Sequence, residues 1–301
     1  MVNLSIIIPS YNTKQLLVDC INSIYKETKT TFEVIVIDNG STDGTVEEIK
    51  KLSNSEIKGL KLIENHENLG FAKSVNQGIK EALGRYILLL NSDTLIIDNA
   101  IDNEIRFLET HQDVSLVGCQ LRNPDNSIQP SGGYLPNLLN IFIWMTLIDD
   151  LPVLNSIIKS YHITNHEFYL HQQYLGWVTG AFFLTKREIF DKIGFFDEHM
   201  FMYVEEIDWC YRLDQAGLRI AFDPSSSIIH HKGGSINNQK AGIIEEFQGL
   251  KYYFNKNKPG WQMPILRVCL KIGALVRIIL FGIIVKDQDL KNTYAKAFRV
   301  A

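Results

Sequence analysis

Three times near its start this chain runs through a short apolar stretch, stops at a polar cluster and continues into a segment with helical spacing, and a fourth apolar run then ends the same way. Leu4–Ile8 gives way to Pro9-Ser10-Tyr11-Asn12, and Val34–Ile37 to Asp38-Asn39-Gly40-Ser41-Thr42-Asp43-Gly44. A run near Lys61–Glu64 is followed by Asn68-Leu69-Gly70, and Tyr86–Leu90 by Asn91-Ser92-Asp93. Unbroken apolar runs of this length suit strands covered on both faces, as in a parallel sheet. The segments between them carry helical stripes: Leu16, Leu17, Cys20, Ile21, Ile24 and Tyr25 in the first, and Phe71, Val75, Ile79, Ala82 and Leu83 in the third. The second opens on Thr45-x-x-Glu48, the spacing of a capping box. A β-α-β-α-β-α-β series with right-handed crossovers predicts an α/β fold, a mostly parallel central sheet flanked by helices, with ligands outside the carboxyl ends of the strands. Every polar cluster named lies at such an end.

At 301 residues, 46% hydrophobic and 21% charged, the chain can bury one large core with a smaller appendage. No charged segment followed by an apolar stretch precedes Leu4, so the expected location is cytoplasmic. The four cysteines, Cys20, Cys119, Cys210 and Cys269, show no C-x-x-C spacing and suit reduced, structural thiols. The net charge of −4 divides unevenly: residues from Lys251 onward balance at +8, those before it at −12. No G-x-G-x-x-G follows the first strand, which excludes a dinucleotide oxidoreductase. No nucleic-acid partner is expected.

Taken in order, each after a strand, the clusters resemble the motifs of the family 2 glycosyltransferases, especially their rhamnosyltransferase-like members, across roughly residues 3 to 240. Pro9-Ser10-Tyr11-Asn12 is similar to the first-strand motif and Asp38 to Asp43 to the D-D/N-G-S-x-D loop. Asn68, Gly70 and Asn76 match N-x-G-x-x-x-A-x-N, with Ser74 for the alanine, and Asn91-Ser92-Asp93 stands at D-x-D. The resemblance implies a GT-A fold, a nucleoside diphosphate sugar donor and a divalent cation, Mn²⁺ or Mg²⁺. It makes Pro9, Tyr11, Asn12, Asp38, Asn39, Gly40, Asn68, Gly70, Lys73, Asn91 and Ser92 the donor-binding set. Within it Tyr11 lies against the nucleobase, Asp38 accepts a base N–H and Lys73 sits near the phosphates, although a solvated helix-face lysine suits Lys73 as well.

A diphosphate carries charge that must be neutralised before it leaves, and a hard cation on carboxylate and phosphate oxygens does that; Asp93 supplies the carboxylate. Asn91 in place of the first acid adds no charge, so the metal needs a further ligand. Ile228-Ile229-His230-His231-Lys232 precedes Gly233-Gly234-Ser235, and alignment with the family's histidine before a Gly-rich loop favours His230. Strand alternation puts His230 and His231 on opposite faces, so one alone can be the ligand. Imidazole suits Mn²⁺ better than Mg²⁺.

An acceptor hydroxyl also needs a base to take its proton. A helix starting at Glu205 would set Glu205, Asp208 and Arg212 on one face and Glu206 about 100 degrees away, with the helix dipole favouring ionised carboxylates. The family's E-D-x-D-x-x-x-R maps its base onto Glu206; glutamate replaces aspartate there, which leaves Glu205 a rival. The resemblance puts Trp177-Val178-Thr179-Gly180-Ala181 beside the reaction centre, with Trp177, Thr179, Gly180 and Asp208 on the acceptor side, and implies a single in-line displacement with inversion. Residues 138 to 172 match no motif and are expected to form a lid.

The expected organisation is a GT-A domain over 1–240, its nucleotide-sugar half about 1–120 and its acceptor and catalytic half about 121–240, followed by a basic amphipathic helical tail over 241–301. Within 261–285 the apolar residues are interrupted by Arg267, Lys271 and Arg277. Each cation at a bilayer centre costs about 2.5 to 3.5 kcal/mol, which disfavours a spanning helix and favours one lying in the headgroups at the inner face of the cell membrane. Docking on the body or on a second subunit is the alternative, so oligomeric state is open. The function expected is an inverting, metal-dependent transfer of a sugar, with rhamnose as the guess, onto a glycan or lipid-linked acceptor for surface polysaccharide. A catalytically silent nucleotide-sugar binder is the runner-up, permitted by Asn91 and Glu206. A sugar nucleotidyltransferase is weaker, because it wants a Gly-rich phosphate loop where Pro9-Ser10-Tyr11-Asn12 stands.

Overall fold

The computed structural model describes residues 2–54, 58–151, 158–232 and 239–301. Its first half is the expected series: β1 (Leu4–Ser10), α1 (Lys14–Glu27), β2 (Phe32–Asn39), α2 (Thr45–Asn54), β3 (Leu60–Asn65), α3 (Phe71–Glu81) and β4 (Tyr86–Leu90). The strands lie β3-β2-β1-β4 and are all parallel. In β1, Leu4, Ile6 and Ile8 pack with Leu17, Cys20, Ile21 and Ile24 of α1, while Ile7 faces the opposite layer with Val75 and Ile79 of α3. Helices on both faces bury every residue of β4, which is why these runs show no polar alternation. The strands outlast their apolar residues: Ser10 pairs with Asp38, and Asp38 and Asn39 pair with Glu64 and Asn65. The polar clusters therefore begin on sheet ends. The capping box does not form as expected, because Thr45 is the first helical residue; Asp43 Oδ1 accepts from Thr45 N at 3.1 Å and Glu48 reaches Lys51.

The second half adds β5 (Thr94–Ile96), α4 (Ala100–Thr110), β6 (Val114–Arg122), β7 (Ile128–Gln129), β8 (Gly132–Gly133), α5 (Leu138–Met145), β9 (Gln173–Leu175), β10 (Trp177–Val178), β11 (Phe182–Lys186), α6 (Arg187–Ile193), α7 (Glu205–Gln215) and β12 (Arg219–His230). β11 runs antiparallel between β4 and β6, and β12 runs parallel to β6. A register break between Asp223 and Ser227 resets β12, whose end pairs antiparallel with β5 so that His230 lies opposite Thr94. β8 and β10 form a separate two-stranded ribbon.

Beyond residue 240 the chain continues as α8 (Gln239–Asn257), α9 (Gln262–Ile279), a π turn at Leu280–Ile284 and α10 (Gln288–Val300). These helices share the body's core: Phe247, Leu250, Tyr253 and Phe254 of α8 and Leu266, Leu270 and Ala274 of α9 belong to the cluster that contains Phe183 and Trp209. Arg277 departs from the sequence reading of a snorkelling cation. It is buried, donates to the carbonyls of Met145 at 2.7 Å and Trp144 at 3.0 Å, and so binds α9 to α5. Residues 138–145 of the expected lid are thus a helix packed on α9, and residues 152–157 lie outside the described residues.

Trp209 is fully buried in α7, between Phe183 at 5.2 Å, Phe190 at 5.0 Å and Phe196 at 5.8 Å, and its indole donates to the Gly194 carbonyl at 3.0 Å. Trp209→Ala should destabilise the protein by about 3–5 kcal/mol, read from urea unfolding; a loss below about 1 kcal/mol would mean that α7 is held by other contacts.

Candidate active site

At the carboxyl ends of β1, β2 and β4 the loops are laced together. Asn12, in the left-handed region at φ 53, accepts from Thr42 N at 2.8 Å through its side chain, and its own N–H reaches Ser41 Oγ at 2.8 Å. Ser10, Thr13 and Ser92 form a buried hydroxyl chain at 2.9 and 3.0 Å, so Ser92 braces the loop after β4 against the one after β1. Asp38 is buried; its Oδ2 accepts from Ser41 N at 2.9 Å, and its Oδ1 has no hydrogen-bond partner among the described residues. A buried carboxylate oxygen left open in this way wants an N–H donor. Tyr11, next to Asn12 in the chain, keeps an exposed ring, and Pro9 lies on β1 beside Ile37.

Other members of the expected donor set turn inward. Asn39 is buried, its side-chain oxygen accepting from Asn65 at 3.0 Å and lying 2.7 Å from Ser74 Oγ. Asn68 accepts from Gly70 N at 3.0 Å, and Asn76 clamps the far segment by bonding Phe196 N and O at 3.1 and 2.9 Å. Gly40 has φ +75, and a Cβ there would meet the Glu67 backbone at 3.0 Å. Gly70 is more restrictive: at φ +82, a Cβ would stand 2.6 Å from the Phe201 carbonyl, which accepts from Phe71 N at 2.8 Å. A Cβ at Gly180 would likewise meet the Phe71 ring at 2.7 Å. The start of α3 is therefore where the donor motif, the 177–181 segment and the segment before α7 converge. Lys73 is exposed on the first turn of α3 and makes no ion pair among the described residues.

The loop after β4 meets the end of β12. His230 Nε2 lies 3.2 Å from Asp93 Oδ1 and 3.4 Å from Asn91 Nδ2, with both His230 and Asp93 buried, whereas His231 is partly exposed. The histidine is oriented by Gln129: its Nδ1 donates to Gln129 Oε1 at 2.6 Å, and that amide is fixed in turn by donating to Asn123 Oδ1 at 2.7 Å. With Nδ1 taken up by Gln129, Nε2 is the ring nitrogen left facing the Asp93 carboxylate oxygen. Two acceptors so placed suit a cation between them, so these residues fit a divalent metal. Among the described residues no group of three or more His, Cys, Asp or Glu gathers there, so the protein alone does not complete a coordination shell. The Gly-rich stretch used in aligning His230, 233–235, lies outside the described residues. Gln129 was not singled out as a site residue in the sequence, since its tie to His230 spans 101 positions.

The start of α7, expected to supply the base, carries two adjacent carboxyls of unlike character. Burial drives the Glu205 carboxyl well above its usual range, the charge of Glu206 adds to this, and its Oε2 accepts from Val204 N at 3.0 Å. Burial also pushes Glu206 up to about 7, and Glu206 Oε2 has no hydrogen-bond partner among the described residues. A protonated Glu205 can donate to an ionised Glu206 beside it. Asp208 looks away from both: it is fully buried, 3.1 Å from Arg212, 2.9 Å from Lys256 and 2.8 Å from Asn257, an internal ion-pair network. Trp177 is a buried wall of the site, its indole donating to the Tyr161 carbonyl at 3.0 Å, and Thr179 N donates to the Ser131 carbonyl at 2.9 Å.

The sequence profile described as Glycosyl transferase family 2 matches residues 5–212. An N-acetylglucosaminyl-diphospho-decaprenol L-rhamnosyltransferase of Mycobacterium tuberculosis is 27% identical over 268 residues, 85% of each chain. The Staphylococcus aureus poly(ribitol-phosphate) beta-N-acetylglucosaminyltransferase TarS is 32% identical over 120 residues, covering 39% of this chain and 21% of its own. Among solved structures, a mannosyltransferase of Pyrobaculum calidifontis in complex with GDP-Man and Mn²⁺ has a TM-score of 0.61 at 18% identity, over 99% of this chain and 85% of that one. GalNAc-T7 with UDP, GalNAc and Mn²⁺ gives 0.59 at 14%, over 96% and 57%. At such identities the likeness is one of fold, and the fold is GT-A.

Gln129→Ala should weaken Mn²⁺ binding, titrated calorimetrically, by about 10- to 100-fold while the melting temperature holds. Unchanged affinity would remove Gln129 from the site.

Proposed function

The chain belongs to glycosyl transferase family 2, and from that premise we propose an inverting, divalent-metal-dependent transfer of a sugar, rhamnose first among candidates, from a nucleoside diphosphate donor to a lipid-linked glycan acceptor for surface polysaccharide. The observation that carries this reading is the Asp93–His230 pair, whose facing acceptor atoms suit a cation at the D-x-D position. Asp93 and His230 would hold Mn²⁺ or Mg²⁺, with Asn91 beside them. Bound there, the ion would neutralise charge on the departing diphosphate.

The remaining work falls to the chain's own side chains. Asp38 Oδ1 accepts a base N–H, and the exposed Tyr11 ring covers the nucleobase. Lys73, free of ion pairs among the described residues, is available to the phosphates. Glu206 is the base: it takes the proton of the acceptor hydroxyl as that oxygen attacks the anomeric carbon from the face opposite the diphosphate, so no covalent intermediate is needed. Glu205 is less suited to that task, because burial pushes its carboxyl well above its usual range and its Oε2 already accepts from Val204 N. The rhamnose preference and the lipid-linked acceptor rest on the Mycobacterium tuberculosis relative.

The acceptor reading agrees with the C-terminal surface. No helix among the described residues is long and apolar enough to cross a membrane. Yet Trp261, Ile265, Val268, Ile272, Leu275 and Ile279 are all exposed along one stripe of α9, and Leu139 and Phe142 of the adjoining α5 are exposed as well. Arg267, Lys271 and Lys286 are exposed nearby, and the sequence from Phe247 to Lys286 contains no Asp or Glu. An apolar stripe among cations without anions matches an anionic lipid surface, whereas a second copy would bring like charges together. The protein thus acts as a peripheral enzyme at the inner face of the cell membrane.

Scanning fluorimetry with UDP-, dTDP- and GDP-sugars, with and without Mn²⁺, should show a cation-dependent rise in melting temperature with one nucleotide; no shift with any donor at saturation would sink the donor site. Glu206→Gln should cut turnover by about 10²- to 10⁴-fold while sparing donor affinity. In the unmodified enzyme, turnover should rise with pH through about 7 as Glu206 ionises. Donor binding with no turnover in any acceptor assay would instead mark a silent binder. Vesicles rich in phosphatidylglycerol should sediment the protein, and Ile272→Glu with Leu275→Glu should release it; a concentration-dependent dimer dissolved by the same pair of changes would assign the stripe to a second copy.

A further inference from the structure

Glu246 stands outside every motif considered so far, yet α8 brings it to the catalytic segment. The helix crosses that segment at two glycines: a Cβ at Gly242 would meet the Tyr203 ring at 2.7 Å, and one at Gly249 would meet Val204 Cγ2 at 2.5 Å. Seven residues apart, these glycines share one helix face, and Glu246 lies between them, four residues past the first and three before the second. Its side chain therefore faces the residues that lead into Glu205 and Glu206. Tyr203 itself is a non-glycine residue at φ 85, a backbone state that persists only when neighbours enforce it.

The carboxylate is anchored. Glu246 Oε1 lies 2.7 Å from His162 Nε2, and the His162 ring meets Trp177 edge-on at 5.1 Å and Trp144 at 5.0 Å. Glu246 cannot swing away without moving a packed ring. The groups that face Glu206 are Glu205 and Cys210 from its own helix, Glu246 from α8, His162 and Tyr161 from the segment after residue 158, and Tyr203 from the preceding loop. Three carboxyls in one partly dry recess cannot all ionise at little cost.

We propose that Glu246, anchored by His162, is a positioning residue for the base: its carboxyl, held beside the residues that lead into α7, sets the electrostatic surroundings of the Glu205–Glu206 pair. The inference rests on the reading of Glu206 as base. Glu246 touches neither donor nor reacting atoms; it acts through Glu206. After burial, which dominates, and a backbone hydrogen bond at Glu206, which favours the charged form, Glu246 opposes ionisation of Glu206 and His162 favours it. The two members of one bonded pair therefore pull the base in opposite directions, which no purely structural role would do.

The test is the pH profile of kcat for the full-length protein, with donor, Mn²⁺ and acceptor saturating. Glu246→Gln, which keeps the shape of the side chain, should move the midpoint of the acid limb down by on the order of one pH unit, the effect of removing a nearby charge from a partly buried site. His162→Gln should move it up, and Glu246→Asp, which restores the charge, should bring it back toward the unmodified value. Loss of turnover at every pH with the midpoint unmoved in both single variants would overturn the proposal and leave the pair as packing. Glu206→Gln with full turnover would overturn the base assignment and this inference with it, so the two failures are told apart.

Discussion

The loop that leads into α7 is joined to the start of α3 at a point where residue 70 has no side chain. Phe71 N–H bonds the Phe201 carbonyl at 2.8 Å, and the approach is possible only because a Cβ on Gly70 would have stood 2.6 Å from that oxygen. A β-carbon there would push the start of α3 away from the loop that feeds α7. Gly180 against the Phe71 ring repeats the device from a third direction. Segments that look separate in the sequence, around Gly70, Gly180 and Phe201, are thus one packed junction.

Much of the fold was legible because the physics is local. Both faces of the sheet are covered, so strands show as unbroken apolar runs, and the stripe on α1 survives with Leu17, Cys20, Ile21 and Ile24 buried. The site was legible in outline only. Asn39 and Asp38 are neighbours in one motif, yet Asn39 ties Ser74 to Asn65 while Asp38 keeps an oxygen open, a division set by which way each side chain points at the strand end. Alignment alone favoured His230, but its closeness to Asp93 depends on the register break in β12, and Gln129 and Glu246 needed partners 101 and 84 positions away. Asp208 shows the converse: the i, i+4 tie to Arg212 could be read, but Lys256 and Asn257 come from a helix whose docking no local pattern announces.

Two places in the candidate site pair an occupied polar atom with an open one. His230 has one ring nitrogen occupied by Gln129 and so offers the other. Glu205 has Oε2 occupied by Val204 N, while the neighbouring Glu206 keeps its Oε2 without a hydrogen-bond partner among the described residues. Replacement of the usual first acid by Asn91 removes a charge from the former site, and the orientation of His230 becomes correspondingly more consequential.

The integration of α8 with α7 has a consequence for how the molecule comes into being. Lys256 and Asn257 neutralise the buried Asp208, and Gly242 and Gly249 seat the helix on Tyr203 and Val204. A chain leaving the ribosome exposes its donor motifs early, but until α8 has emerged Asp208 lacks two of its partners and the loop before Glu205 lacks its cover. The parallel strands β3-β2-β1-β4 all lie within the first ninety residues and can pair early in synthesis, whereas α7 gains its full set of contacts only when nearly the whole polypeptide is present.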